Sequence, residues 1–220
     1  MITTIGDVRG LTLEATDGEI GRVRDLLFDE SGWSVRYVAA DTGTWLPGRQ
    51  VLLAPNAVEA IGDRVHVALS TRQVEESPPL SAGEPVSRRW EADVYGFYGY
   101  APYWIQQPVW GFPVLGAPTA AGDPGEAADA SGADPHLRSA DEVTGYHVRA
   151  TDDEIGHVED LLLDDSSWSI PSIVVDTRNI LPGKKVLLDV EEVDGISWGD
   201  QLVWARIPRD DIEGRRDYEG

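Results

Sequence analysis

A chain of 220 residues with 39 acidic and 18 basic side chains carries a formal charge of −21 and a pI near 4.3, so it repels nucleic-acid backbones and anionic lipid surfaces at long range. It has no cysteine, which excludes a disulfide framework, a thiolate nucleophile and a cysteine-ligated metal. No apolar run approaches the ~20 residues of a spanning helix, and the opening MITTIGDVRG lacks a signal peptide's apolar core. A soluble or peripheral protein is expected, cytoplasmic or at the inner face of a membrane.

Leu11, Leu13 and Ala15 alternate with Thr12, Glu14 and Thr16, the period of a half-buried strand. Asp17-Gly18 reads as a hairpin turn that uses a positive φ at Gly18, a conformation that Asp153, the corresponding residue further on, adopts only with strain. In residues 20–29 the apolar positions change phase between Ile20, Val23 and Leu26-Leu27-Phe28, which predicts a bulge near Gly21 or Asp25. Strands are expected at 35–41 and 49–53, and a last hairpin at 57–61 and 64–69 turns at Gly62-Asp63. Thr71 is the expected cap of one helical turn through Val74, ended by Pro78-Pro79.

Residues 87–113 hold nine of the chain's eighteen aromatic side chains: Trp90, Tyr95, Phe97, Tyr98, Tyr100, Tyr103, Trp104, Trp110 and Phe112. Trp90, Val94 and Phe97 or Tyr98 recur at helical spacing after Ser87, so 87–98 is predicted to be a short amphipathic helix. Its three prolines make 99–113 extended or turning. Residues 115–135, rich in Ala, Gly, Asp and Pro, have the composition of a flexible linker.

Shifting the chain on itself by 135 residues aligns 8–58 with 143–193 without a gap, and about half the pairs are identical. GEIGRVRDLLFD at 18–29 returns as DEIGHVEDLLLD at 153–164, Trp33-Ser34 as Trp168-Ser169, and Leu46-Pro47-Gly48 as Leu181-Pro182-Gly183, with VLL after both. The chain therefore reads as a duplicated module with a connector. The second copy ends in a longer hairpin carrying Trp198 and Trp204. Units are expected at 1–79, 80–136 (connector) and 137–220, and each copy, holding its own full set of strands, is expected to fold alone.

The G-x-I-G-x-V-x-D-L strand and the later basic-x-V-L-L strand resemble the PRC-barrel family, small β-barrels found in the cytoplasmic part of the photosynthetic reaction centre H subunit and in a ribosome-maturation factor. The resemblance implies an all-β fold of two small antiparallel PRC-type barrels joined by the aromatic segment and the flexible linker. It implies no chemistry. The shared Asp17, Glu19, Asp25, Asp29 and Asp41 fall at turns and strand ends, where carboxylates accept backbone N–H bonds, and they form no calcium loop. His66, His136, His147 and His157 have no metal-ligand spacing. Leu-Pro-Gly followed by Arg49 or by Lys184-Lys185 lacks the glycine spacing of a phosphate loop and reads as a turn ending in exposed cations.

The expected function is a non-enzymatic interaction scaffold with no catalytic residue, cofactor or metal. The resemblance points to a protein partner such as a membrane-embedded reaction centre complex, and the charge argues against RNA processing. The alternative is a freestanding stress-related or regulatory protein that binds a small ligand or a protein. Partner-binding residues are expected among Trp90, Tyr95, Tyr98, Tyr100, Tyr103, Trp104, Trp110 and Phe112, and at Trp198 and Trp204, because exposed aromatics dominate binding hot spots.

Overall fold

A computed structural model describes residues 1–81, 86–103, 137–177 and 184–219. In chain order the elements are β1 (Ile2–Thr4), α1 (Ile5–Val8), β2 (Thr12–Ala15), β3 (Gly18–Asp29), β4 (Ser34–Asp41), β5 (Arg49–Leu53), β6 (Val58–Ile61), β7 (Arg64–Val67), α2 (Thr71–Glu76), β8 (Leu80–Ser81) and α3 (Arg88–Tyr98). The second half follows with β9 (Leu137–Ser139), α4 (Ala140–Val143), β10 (His147–Arg149), β11 (Glu154–Asp164), β12 (Ser172–Asp176), β13 (Lys185–Asp189), β14 (Val193–Ser197), β15 (Leu202–Ala205) and α5 (Arg209–Glu213). One sheet has the order β6-β7-β2-β3-β4-β5-β8 and the other β13-β12-β11-β10-β15-β14. Most pairings are antiparallel; β2 with β7 and β10 with β15 are parallel.

The phase change along β3 is a bulge, since its register to β4 shifts between Val23 and Asp25, and β11 shifts against β12 between Val158 and Asp160. The hairpin carries no strain at Asp153: it is absent from the positive-φ residues, and Gly18 itself is nearly extended at φ 159°. Gly18 already opens β3, and Asp153 is the residue just before β11. Asp17 instead accepts the Thr71 amide at 2.7 Å, and Asp152 accepts that of Arg209 at 2.8 Å, so each turn carboxylate binds the start of α2 or α5. The cap of α2 is Ser70, one residue before the expected Thr71, in a reciprocal capping box with Gln73.

Gly21 and Gly156 are required by close approach. A Cβ at Gly21 would overlap the Asp41 carbonyl, and one at Gly156 the Asp176 carbonyl. Gly21→Ala is therefore expected to cost about 2–3 kcal/mol by overpacking, whereas Gly62→Ala, whose Cβ meets open space, is expected to stay within about 0.5 kcal/mol of the parent. Urea titration distinguishes the two; equal midpoints would mean that β3 can move away from β4.

The expectation that each half keeps its own strands is wrong. β1 pairs with β11 of the second half, Ile2 opposite Asp164 and Thr4 opposite Leu162, while β9 pairs with β3 of the first, Leu137 opposite Asp29 and Ser139 opposite Leu27. Each short strand leads into a helical turn that docks on the other half. The Gly6 amide of α1 lies 3.1 Å from Asp160 Oδ1, and the Asp141 amide of α4 donates to Asp25 Oδ1 at 3.0 Å, joined by the Ser139 hydroxyl on Oδ2 at 2.6 Å. Asp25 and Asp160 also accept the next amide of their own bulge, from Leu26 and Leu161, both at 2.8 Å. The carboxylates thus hold backbone N–H groups as expected, but half of those groups come from across the molecule. Ile5, Val8, Ala140 and Val143 enter a continuous core with Leu26, Phe28, Leu161 and Leu163.

A second exchange joins the halves at the tryptophan turns. Val35 N–H donates to the Trp168 carbonyl at 2.8 Å, and Ile170 N–H to the Trp33 carbonyl at 2.7 Å. Trp33 and Trp168 take φ values of 48° and 56°, a left-handed conformation that costs a bulky residue roughly 1–2 kcal/mol. These reciprocal hydrogen bonds help offset that strain.

Candidate functional site

The aromatic helix packs on the outer face of the first sheet. Ser87 caps α3 through the Trp90 amide, as expected, and Gly99 ends it at φ 70°. Its buried residues are Glu91, Val94 and Tyr95, so the inward face runs through Glu91 and not through Trp90 and Phe97. Tyr95 joins Tyr37, Ala39, Leu52, Ala54 and Leu80 in a second apolar cluster, against which Trp90, Tyr100 and Tyr103 pack. The Trp90 indole N–H donates to the Pro78 carbonyl at 3.3 Å. Tyr98 stacks on Tyr100, with centroids 5.7 Å apart. Phe97 turns outward and is exposed. Trp104, Trp110 and Phe112, with the 115–135 linker, lie outside the described residues.

Glu91 is fully buried beneath this helix. Its carboxylate accepts from the Tyr37 hydroxyl at 2.8 Å, the Tyr103 hydroxyl at 3.2 Å and Arg88 Nη1 at 3.0 Å. Burial, reinforced by the Glu91 charge, pushes the Tyr37 phenol far above its ordinary range and that of Tyr95 up to about 12. The Tyr37 and Tyr95 phenols are therefore neutral near pH 7, and the bond from the Tyr37 hydroxyl to Glu91 fixes α3 to β4.

Trp198 and Trp204 differ in surroundings. Trp198 is half-buried, edge-on to Tyr146 at 6.1 Å, with the Arg138 guanidinium 4.7 Å above its ring. Trp204 is 40% exposed beside Arg149. Arg49 is not the exposed cation expected from the sequence: it donates to the carbonyls of Glu75 and Ser77, both at 2.6 Å, closing the C-terminal end of α2. Lys184 likewise donates to the Arg215 carbonyl beyond α5.

One grouping was not evident from the chain. His157 and Glu159 on β11 meet Asp176 on β12, His157 standing directly opposite Asp176, and one ligand atom from each lies within 4.8 Å of the others. The expectation that no histidine has metal-ligand geometry is corrected at this point. These three atoms could take a divalent ion, but Lys185 Nζ already sits 2.7 Å from Glu159. The matching positions in the first half are Arg22, Arg24 and Asp41, and that difference was the only signal the sequence offered.

The other shared carboxylates are engaged locally. Asp29 accepts the Ser31 amide at 2.9 Å and Asp164 that of Ser166 at 3.0 Å, and the Asp41 side chain closes its turn on the Gly43 amide at 2.9 Å. The Asp29 carboxyl is held below its usual range by its Ser31 hydrogen bonds and by Arg36, which outweigh its burial. Asp25, more deeply buried, is pushed up by desolvation against its hydrogen bonds.

Residues 4–74 match the family described as PRC-barrel domain, so a PRC-barrel domain occupies that part of the chain. The match runs from Thr4 into α2 and takes in the whole of β2 to β7. No curated protein matches the chain. No helix among the described residues is long and apolar enough to cross a membrane.

Proposed function

We propose that the chain is a non-catalytic interaction scaffold in which residues 137–220 form a second copy of the PRC-barrel domain at 4–74, the two copies locked by exchanged strands. One observation carries this reading. Three pairs of carboxylates common to both halves, Asp17 and Asp152, Asp25 and Asp160, Asp29 and Asp164, are bonded to backbone amides of turns, bulges and caps, the arrangement of a structural element and not of a site holding substrate. Docking falls to the aromatic side chains left outward, Phe97 and Trp204 with half-buried Trp198, and to Trp104, Trp110 and Phe112.

The host best matched to this design is a photosynthetic reaction centre complex, contacted from the cytoplasmic side by a peripheral protein resembling its H subunit. A second reading, a freestanding regulatory protein that binds a small ligand, draws on the His157, Glu159 and Asp176 group, which the first half does not repeat. Co-sedimentation tests both. Inside-out photosynthetic vesicles should carry the purified chain down at low salt, and vesicles stripped of reaction centres should not. Equal sedimentation with both, or with neither, would defeat the reaction-centre assignment.

A further inference from the structure

Two clefts open along the seam between the halves, and the fold builds both from matching positions. The larger, about 510 Å³, brings Glu30 and Trp33 of the first half against Glu191, Asp194, Ile196 and Arg206 of the second. The smaller, about 300 Å³, brings Asp165 and Trp168 of the second half against Val58, Glu59 and Ile61 of the first. Trp33 stands 135 residues before Trp168, Glu30 before Asp165, Glu59 before Asp194 and Ile61 before Ile196. The swapped tryptophan turns therefore create two related recesses, Glu191 and Arg206 of the larger having no counterpart in the lining of the smaller.

Several of the lining carboxylates already have cations. Glu30 binds Arg138 through both oxygens at 2.6 and 2.7 Å, Asp194 meets Arg206 at 3.1 Å, and Asp165 meets the Met1 amino group. Glu191 in one cleft and Glu59 in the other are exposed and have no ion-pair partner among the described residues. Each recess thus combines an indole, an aliphatic wall and an uncompensated carboxylate, in a protein of net charge −21. An ammonium or guanidinium on an aliphatic stem matches all three, since the charge meets the carboxylate while the stem lies along the indole and the aliphatic wall, one face of Trp33 being already stacked on Phe28. An anion matches none.

We propose that the twin clefts receive Lys or Arg side chains from a basic segment of a protein partner. This rests on the reading of the chain as a docking protein and supplies its contact chemistry.

The test is calorimetric titration of the full chain with acetyl-tetralysine amide at low salt, paired with NMR of the Trp33 and Trp168 indole N–H signals, assigned through Phe variants. Both indoles are expected to shift. Glu191→Gln and Glu59→Gln, exposed changes that leave the folding contacts alone, are each expected to weaken binding roughly fivefold, the value of one exposed cation contact. Glu75→Gln, an equal loss of charge on α2, should leave it nearly unchanged. The proposal is overturned if the three variants weaken binding equally, or if neither indole shifts. Spermine binding as tightly as the peptide, with the same sensitivity to Glu191, overturns the protein partner in favour of a small polyamine. A chain that ignores the peptide yet co-sediments with reaction-centre vesicles overturns the clefts alone and leaves the scaffold reading standing.

Discussion

Deletion of residues 1–9 is expected to damage the second half of the molecule more than the first. The deletion removes β1 from the edge of β11, takes the Gly6 amide from Asp160, and strips Ile5 and Val8 from the core beside Leu161 and Leu163. Burial of two such side chains contributes about 3–6 kcal/mol, a large fraction of the 5–15 kcal/mol that typically stabilises a domain. Hydrogen exchange should therefore accelerate by roughly a hundredfold or more along 154–164, with a smaller change along 49–53. If the two segments accelerate alike, the halves unfold as one cooperative unit; if neither does, the exchanged strand is ornamental. The reciprocal cut, separating 1–103 from 137–220, should leave each fragment with an unpaired strand end, and mixing them should restore the protection.

Glu91→Ala should release α3 from the first sheet. It leaves two hydroxyls and the Arg88 guanidinium facing a vacated pocket, and removal of one partner from a buried ion pair typically costs 3–5 kcal/mol. Loss of tyrosine ellipticity below the global transition would report the release; an unchanged near-ultraviolet spectrum would show that the apolar contacts of Tyr95 suffice. The network also sets an alkaline limit. Both Tyr37 and Tyr95 titrate above the ordinary phenol, so the folded state favours their neutral forms. Their contribution is complete below the unfolded phenol value near 10 and is lost as pH climbs through the folded values, for Tyr95 about 12. Melting temperature should fall above pH 10, and Tyr95→Phe, which has no phenol to ionise, should fall less steeply. Parallel curves would place the alkaline sensitivity elsewhere.

The sequence showed the long strands because their chemistry is local. The phase change around Asp25 located the bulge, Ser87 located the start of α3, and alternation marked β2. Strand partnership was not legible. Ile2–Thr4 and Leu137–Ser139 are three residues long, and a three-residue alternation says which face is buried but not which edge it joins. Two near-identical long strands make the ambiguity worse, since β1 fits either by pattern. Glu91 was overlooked for another reason: a carboxylate in a helix reads as solvated until the hydroxyls that donate to it in the core are known to lie opposite. The His157, Glu159 and Asp176 group depends on register across β11 and β12, which spacing along the chain does not encode.

The exchange also fixes an order of events at the ribosome. The edge of β3 at Leu27–Asp29 has no partner until Leu137–Ser139 has been made, about 110 residues later, which at 5–20 residues per second is roughly 5–20 s. During that interval the nascent first half presents an open strand end, with Ser139 and the Asp141 amide not yet available to Asp25. On a crowded polysome the nearest substitute is the 137–139 segment of a neighbouring chain, so overproduction should yield intertwined dimers as its characteristic by-product.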